Sequence, residues 1–410
     1  MDQSQQQSQN RYRWFILSIG VLAQASFAVA FAGIPVAGVL LRQQYGFSTE
    51  ELGVILGCMG LGVAISEIVW GVLTDRLGDK IVLMIGLFGM GSVFVVLGLY
   101  FGPQGPHGVA MLPIAALLVL AGVVGGSINS SSGRAVMIWF NDRERGLAMS
   151  IRQTAIPVGG AIGSILVPVV ASFGGFASAY LMLAALLYLT VVVVYFGLPA
   201  KERVHPDSHT AATGITPLMR VDVWRVAIVG GLLTVSQFAT LTFGTLYLHE
   251  DRSMSYSAAA AILIAIQVGG AFLRIYTGRY SDLHKNRRSV IRLISLVAAV
   301  SSVLLGIFAE QNIIIAAALI LIVGLAGHAW HGVAYTEAAV MAGVAHAGTA
   351  LGMIGTTVFA AAFLTPVVIP HLLNIGGWYL VWLFVGVSSA LAILLLAPGP
   401  KPAIVGEKSS

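Results

Sequence analysis

Twelve apolar runs, each close to the ~20 residues that a helix needs to cross a hydrocarbon core, follow one another along the chain at 14–41, 51–74, 81–101, 112–139, 147–171, 177–198, 224–248, 257–278, 289–308, 313–340, 347–370 and 378–397. A chain so built has no soluble alternative. Apolar residues make up 57% and charged residues only 10%, against about 25% charged in a soluble domain. In lipid every backbone N–H and C=O must be satisfied within the protein, so runs of this length specify helices. The expected fold is an all-α membrane protein. Met1 to Asn10 is rich in Gln and Ser, with no basic stretch and no small-residue cleavage site before Trp14, so a removable signal peptide is not expected.

Charge in the connecting loops sets the orientation. Seventeen of the 22 Lys and Arg lie at the termini, in the loops after the even-numbered spans or within the first turn beyond those loops, with only Arg42 and Arg252 in the loops on the other side. Both termini are therefore expected at the cytoplasmic face of the cytoplasmic (inner) membrane. The net charge of +5 is spread over those loops and forms no single basic face, which argues against nucleic acid as a partner. Cys58, the only cysteine, lies inside an apolar run, so neither a disulfide framework nor a thiolate metal site is available.

The chain is internally duplicated. Gly71-Val72-Leu73-Thr74-Asp75-Arg76-Leu77-Gly78-Asp79-Lys80 joins the second and third spans. Gly278-Arg279-Tyr280-Ser281-Asp282, followed by Arg287 and Arg288, repeats its frame 207 residues later. With a shift of 202 residues, Gly146-Leu147-Ala148-Met149-Ser150-Ile151 falls on Gly348-Thr349-Ala350-Leu351-Gly352-Met353, and Pro168 on Pro370. The polar stretch 199–223 separates the copies, giving an N-terminal six-helix bundle over 1–198 and a C-terminal one over 224–410. Two pseudo-symmetric bundles about an axis along the membrane normal enclose a central cavity that can open to either face.

These motifs resemble the major facilitator superfamily over essentially the whole chain. Gly71, Asp75, Arg76, Gly78 and Lys80 match its loop 2–3 signature, with Asp79 where the pattern more often has a basic residue. The run Trp139-Phe140, Arg143-Glu144-Arg145-Gly146 and Ile151-Arg152-Gln153-Thr154-Ala155-Ile156-Pro157-Val158-Gly159-Gly160 looks like bacterial cyanate-type and organic-anion permeases. The fifth-helix signature of drug antiporters is not matched, since Pro157 and Val158 precede Gly159 and Gly160. The resemblance implies a carrier working by alternating access, with helices 1, 4, 7 and 10 facing the cavity. It implies no cofactor and no enzyme activity, and the partners would be a small-molecule substrate, protons and membrane lipid, with the monomer as the working unit.

A charge at mid-membrane costs ~2.5–3.5 kcal/mol on insertion scales, so each buried one needs a partner, water or a function. Arg134 would attract an anion, or else cap neighbouring helix ends. Arg274, one turn before Gly278, could offer its planar fork to a carboxylate, or else contact the gate. Arg152 is expected in the gate, with Gly71, Asp75, Arg76, Gly78, Lys80, Gly278, Arg279 and Asp282. Asn129, Gln24 and Gln237 are expected to line the cavity, or to hydrogen-bond helix to helix. His328, His331 and Tyr335 recur at i, i+3, i+7 and share one helical face, with Glu337 on another. They are candidates for substrate contact, and the His pair lacks a third ligand for a metal. Histidine titrates near neutrality, so Glu337, His331 and Glu67 are the candidate proton carriers, Glu67 having a packing role as its alternative. No nucleophile and base set points to an enzyme. The expected function is uptake of a small organic anion by proton symport. Efflux of drug-like compounds and uptake of a metal chelate or siderophore are the alternatives.

Overall fold

The computed structural model describes residues 3–103, 111–199, 216–308 and 312–396. Within them the chain is almost entirely helical. Ten stretches are long and apolar enough to span a membrane, and two of these are too long for one crossing. At 1.5 Å per residue the 53 residues of Arg145–Gly197 would reach about 80 Å, far beyond a core of ~30 Å. That stretch breaks at Gly175 (φ 72°, ψ 172°), and Ala347–Leu395 breaks at Gly376 and Gly377, where φ is 62° at Gly377. Positive φ with extended ψ is open essentially to glycine alone, so each pair of crossings is hinged where a side chain would be strained.

The twelve crossings are α1 (Gln3–Val36), α2 (Thr49–Leu77), α3 (Asp79–Tyr100), α4 (Met111–Trp139), α5 and α6 (145–174 and 176–197), α7 (Val221–Leu246), α8 (Tyr256–His284), α9 (Arg287–Phe308), α10 (Ile313–Ala342), and α11 and α12 (347–375 and 378–395). They agree with the expected spans to within a few residues at most ends. The first span is the exception, because its end bends at Ala37 into a short separate helix, Gly38–Tyr45. Local chemistry sets several starts. Ser48 and Glu51 form a reciprocal capping box at α2, and Ser255 and Asn312 accept backbone N–H groups at α8 and α10, satisfying donors that a helix start leaves open. Most of the expected linker 199–223, including Lys201, Glu202, Arg203, His205 and Asp207, lies outside the described residues.

Small residues let the helices meet backbone to backbone, the usual basis of packing in lipid. α1 crosses α5 where Gly159 lies against Ala25 and Gly163 against Val29, and α7 crosses α11 where Gly230 and Gly231 lie against Ile354 and Thr357. α2 meets α4 at Gly62 and Gly122, and α8 meets α10 at Gly270 beside His328. The first six helices and the last six thus repeat one set of pairings, as the duplicated sequence requires. Large apolar side chains such as Phe173, Phe196, Leu112 and Leu394 face outward, 79–90% exposed. For a protein surrounded by lipid, that is the stable arrangement.

Candidate functional site

At the end of the protein that carries the basic loops, the duplicated motifs pair crosswise. The Asp75 carboxylate accepts the backbone N–H groups of Gly348 (2.8 Å) and Thr349 (2.7 Å) and the Thr349 hydroxyl (2.6 Å) at the start of α11. Asp282 accepts those of Gly146 (3.0 Å) and Leu147 (2.8 Å) at the start of α5. Each aspartate therefore sits on the positive end of a helix in the other bundle. The glycines make this approach possible. A Cβ on Gly71 would lie 2.4 Å from the Gly348 carbonyl oxygen, and one on Gly278 would lie 2.4 Å from that of Gly146.

Ion pairs surround these contacts. Arg134 bonds Asp79 (2.9 Å) and lies 3.2 Å from Asp75, so the unusual aspartate at 79 gives this arginine a second acid. Arg287 joins Asp142 (2.9 Å) and Asp282 (3.3 Å). Lys80 donates to the carbonyls of Tyr195 (2.6 Å) and Leu198 (2.7 Å) at the end of α6. Gly78, at φ 87°, turns the chain between α2 and α3. Arg76 and Arg279 are exposed, and Arg279 borders a cleft of about 580 Å³ with Asn141, Arg143 and Asp282. Glu337 is also at this end, bonded to Arg288 at 2.6 Å. The structure therefore sets Arg134 and Glu337, expected to touch substrate and to carry the proton respectively, among ion pairs of the basic end.

The central cluster lies elsewhere, and Arg152 leads it. Expected in the gate, this arginine is fully buried and points inward among α1 and α4. Its Nε donates to Ser132 Oγ (3.0 Å), and its Nη2 lies 2.8 Å from Gln24 Oε1, 2.6 Å from the Asn129 carbonyl, 2.8 Å from Asn129 Oδ1 and 2.9 Å from Ser132 Oγ. Asn129 Nδ2 donates in turn to Glu67 Oε1 at 3.0 Å. Glu67 is fully buried, backed by Gly352 and Gly355 of α11.

Arg274, 1% exposed, enters the same region from the second bundle. Its Nε donates to the His328 carbonyl (3.0 Å), and its Nη1 crosses to the carbonyl of Gln153 (2.9 Å), the residue after Arg152. His328 Nε2 faces Gln267 Oε1 (2.9 Å), and its Nδ1 faces the Gly324 carbonyl. His331 stacks on Trp330, with ring centroids 3.8 Å apart. Tyr335 lies within electrostatic reach of Glu67, Arg152 and Arg274. Gln237 backs onto Gly327 of α10, and its side chain makes no hydrogen bond among the described residues.

Two features define what this centre can do. Among the described residues neither Arg152 nor Arg274 has a carboxylate within 4.0 Å. Several buried polar atoms of the cluster also lack any partner: Gln24 Nε2, Glu67 Oε2 and both amide atoms of Gln153. Orphaned buried polar groups are rare and call for a ligand or ordered water. Sequence reasoning missed Gln153 and Gln267. The signal for Gln267 was its place two turns before Arg274, at i, i+7 on one face of α8.

Comparisons with known proteins bear on the family and the fold. The family model described as Major Facilitator Superfamily matches residues 20–364. An uncharacterized MFS-type transporter of Mycobacterium tuberculosis is 28% identical over 94% of this chain and 84% of its own. A probable sulfoacetate transporter of Cupriavidus necator is 25% identical over 90% of this chain and 89% of its own. Among solved structures, a proton:xylose symporter superposes with a TM-score of 0.72 at 16% identity, covering 94% of this chain and 95% of the other.

Proposed function

The chain belongs to the Major Facilitator Superfamily and is a transporter of a small molecule, and we propose that its cargo is a small organic anion taken up together with a proton. The observation that carries this reading is the pair of buried guanidinium groups, Arg152 and Arg274, with no carboxylate within 4.0 Å among the described residues and with unpartnered hydrogen-bonding atoms beside them. A buried guanidinium without a carboxylate in direct contact is unfavourable. A carboxylate or sulfonate between the two arginines would relieve it, and bidentate geometry suits both acids. The probable sulfoacetate transporter among the relatives carries such groups in its named substrate.

Substrate contacts are assigned to Arg152, Arg274, Gln24, Asn129 and Gln153, with His331, Tyr335 and Gln237 at the border of the site and His328 holding Gln267 behind it. Glu67 carries the proton, because among the described residues it is the carboxylate hydrogen-bonded into this cluster, through Asn129. The bundles 1–198 and 224–410 rock about this centre, tethered by 199–223. Asp75, Asp282, Arg134 and Arg287 form the gate at the basic end. That end faces the cytoplasm, with both termini, and a single chain is the working unit.

The test uses purified protein in liposomes with labelled carboxylates, sulfonates and phosphate esters. At least one class should accumulate under an inward proton gradient, and accumulation should collapse with an uncoupler or with Glu67→Gln. Accumulation indifferent to the uncoupler would remove the proton from the mechanism. Accumulation of uncharged solutes alone would remove the anion.

A further inference from the structure

We propose that the Asn129 side chain is the coupling element between proton and cargo: an amide that turns over when Glu67 is protonated, changing from a competitor for Arg152 into a donor for the anion. This deepens the reading of Arg152 as an anion seat and Glu67 as the proton carrier, and it rests on that reading.

The geometry is specific. A guanidinium Nη2 has two hydrogens, yet four acceptors surround that of Arg152 at 2.6 to 2.9 Å: Gln24 Oε1, the Asn129 carbonyl, Asn129 Oδ1 and Ser132 Oγ. Two of them are surplus. Asn129 Oδ1 is one of the four, and it is held there from its other end, because the Nδ2 group donates to Glu67 Oε1 at 3.0 Å. An ionised carboxylate can only accept, so while Glu67 is charged the amide must present nitrogen to Glu67 and oxygen to Arg152. The second oxygen, Glu67 Oε2, is buried without a partner.

Proton transfer from hydronium breaks one O–H bond there, leaving water, and forms one at Glu67, with no bond broken within the protein. The carboxyl then gains a donor, for which Asn129 Oδ1 is the near acceptor once the amide makes a half-turn about its terminal torsion. The same half-turn moves an N–H toward Arg152. One acceptor leaves the guanidinium and one donor arrives, at the point where an oxygen of a bound anion would lie. Proton and anion thus favour each other through a single side chain, and linkage requires the effect to be equal in both directions.

The remaining charged or titratable groups that reach Glu67 are Arg152 on α5 and Tyr335 on α10. α11 contributes Gly352 and Gly355 at this contact, which do not titrate. Gln24 on α1 reaches Arg152 and is likewise without charge.

The test measures binding of acetate, methanesulfonate and methyl phosphate to the full chain in detergent, on either side of neutral pH. Wild-type protein should bind the best of these about tenfold more tightly on the acidic side, the worth of one hydrogen bond to a charged group. Glu67→Gln should bind at the acidic level at both pH values. Asn129→Leu, or Asn129→Ser if the leucine variant does not fold, should bind more weakly than wild type at acidic pH and without pH dependence, and adding Glu67→Gln to it should leave that pH-independent binding unchanged. Equal wild-type binding at both pH values, or full pH dependence in the Asn129 variant, overturns the coupling role and leaves the anion seat standing. Failure of all three probes to bind wild-type protein overturns the seat itself, and the coupling role with it.

Discussion

Replacing Gly71 by alanine tests the crosswise closure at the basic end through a contact that cannot yield cheaply. The added Cβ would lie 2.4 Å from the Gly348 carbonyl oxygen and 3.0 Å from Thr349 Cα, both backbone atoms, whereas ordinary contact begins near 3.4 Å. α2 and α11 must therefore part by about 1 Å, with an overpacking cost of ~1–3 kcal/mol. The same movement stretches the bonds from Asp75 to the N–H groups of Gly348 and Thr349, now 2.8 and 2.7 Å, beyond useful hydrogen-bond length. A combined cost of about 2 kcal/mol shifts the balance about thirtyfold away from the closed basic end. The assay is a spin-label distance between cysteines introduced at the exposed positions Leu77 and Ala345, after Cys58 is replaced by serine. The longer-distance population should grow in the alanine variant. Gly60→Ala is the control on the same helix, since nothing lies within 4 Å of its added Cβ, and it should leave the distances alone. A folded Gly71→Ala protein with wild-type distances would refute the reasoning.

Three further outcomes follow from the same geometry. Asp282→Asn removes the charge from the start of α5 and should raise labelling of a cysteine at the basic end about tenfold, the effect of losing ~1–2 kcal/mol of charge-assisted bonding; unchanged labelling would deny it a gate role. Glu337→Gln removes the charge from the bond to Arg288 at 2.6 Å and should lower thermal stability by about 1 kcal/mol while proton-driven uptake persists; loss of coupling with stability intact would return Glu337 to the proton pathway. Gly175→Ala forces a side chain into φ 72°, ψ 172° and should destabilise the protein by ~1–3 kcal/mol in a thermal melt; a neutral result would mean that the joint between α5 and α6 relaxes elsewhere.

The membrane helices were legible in the sequence because hydropathy and chain length alone decide them in lipid. The duplication was legible too, since Gly71 and Gly278, and Gly146 and Gly348, recur in one frame. What could not be read was that these repeats pair crosswise, Asp75 with Gly348 and Asp282 with Gly146, because partnership between helices distant in sequence depends on how the bundles face each other. The arginines illustrate the same limit. Depth along a helix can be counted from its ends, but the direction of a side chain around the axis depends on its neighbours. Arg134 thus met Asp75 and Asp79 at the basic end, while Arg152, two turns into α5, turned toward Gln24 and Asn129. Spacing on α10 put His328, His331 and Tyr335 on one face, but not that His328 would be engaged by Gln267 and His331 by Trp330.

The most direct measurement is a calorimetric titration of wild-type, Arg152→Ala and Arg274→Ala proteins with whichever anion stabilises the wild type best. With both guanidinium groups at the cargo, each replacement should weaken binding about thirtyfold or more, as truncating one partner of a buried charge pair does. Unchanged affinity in both variants would contradict the account.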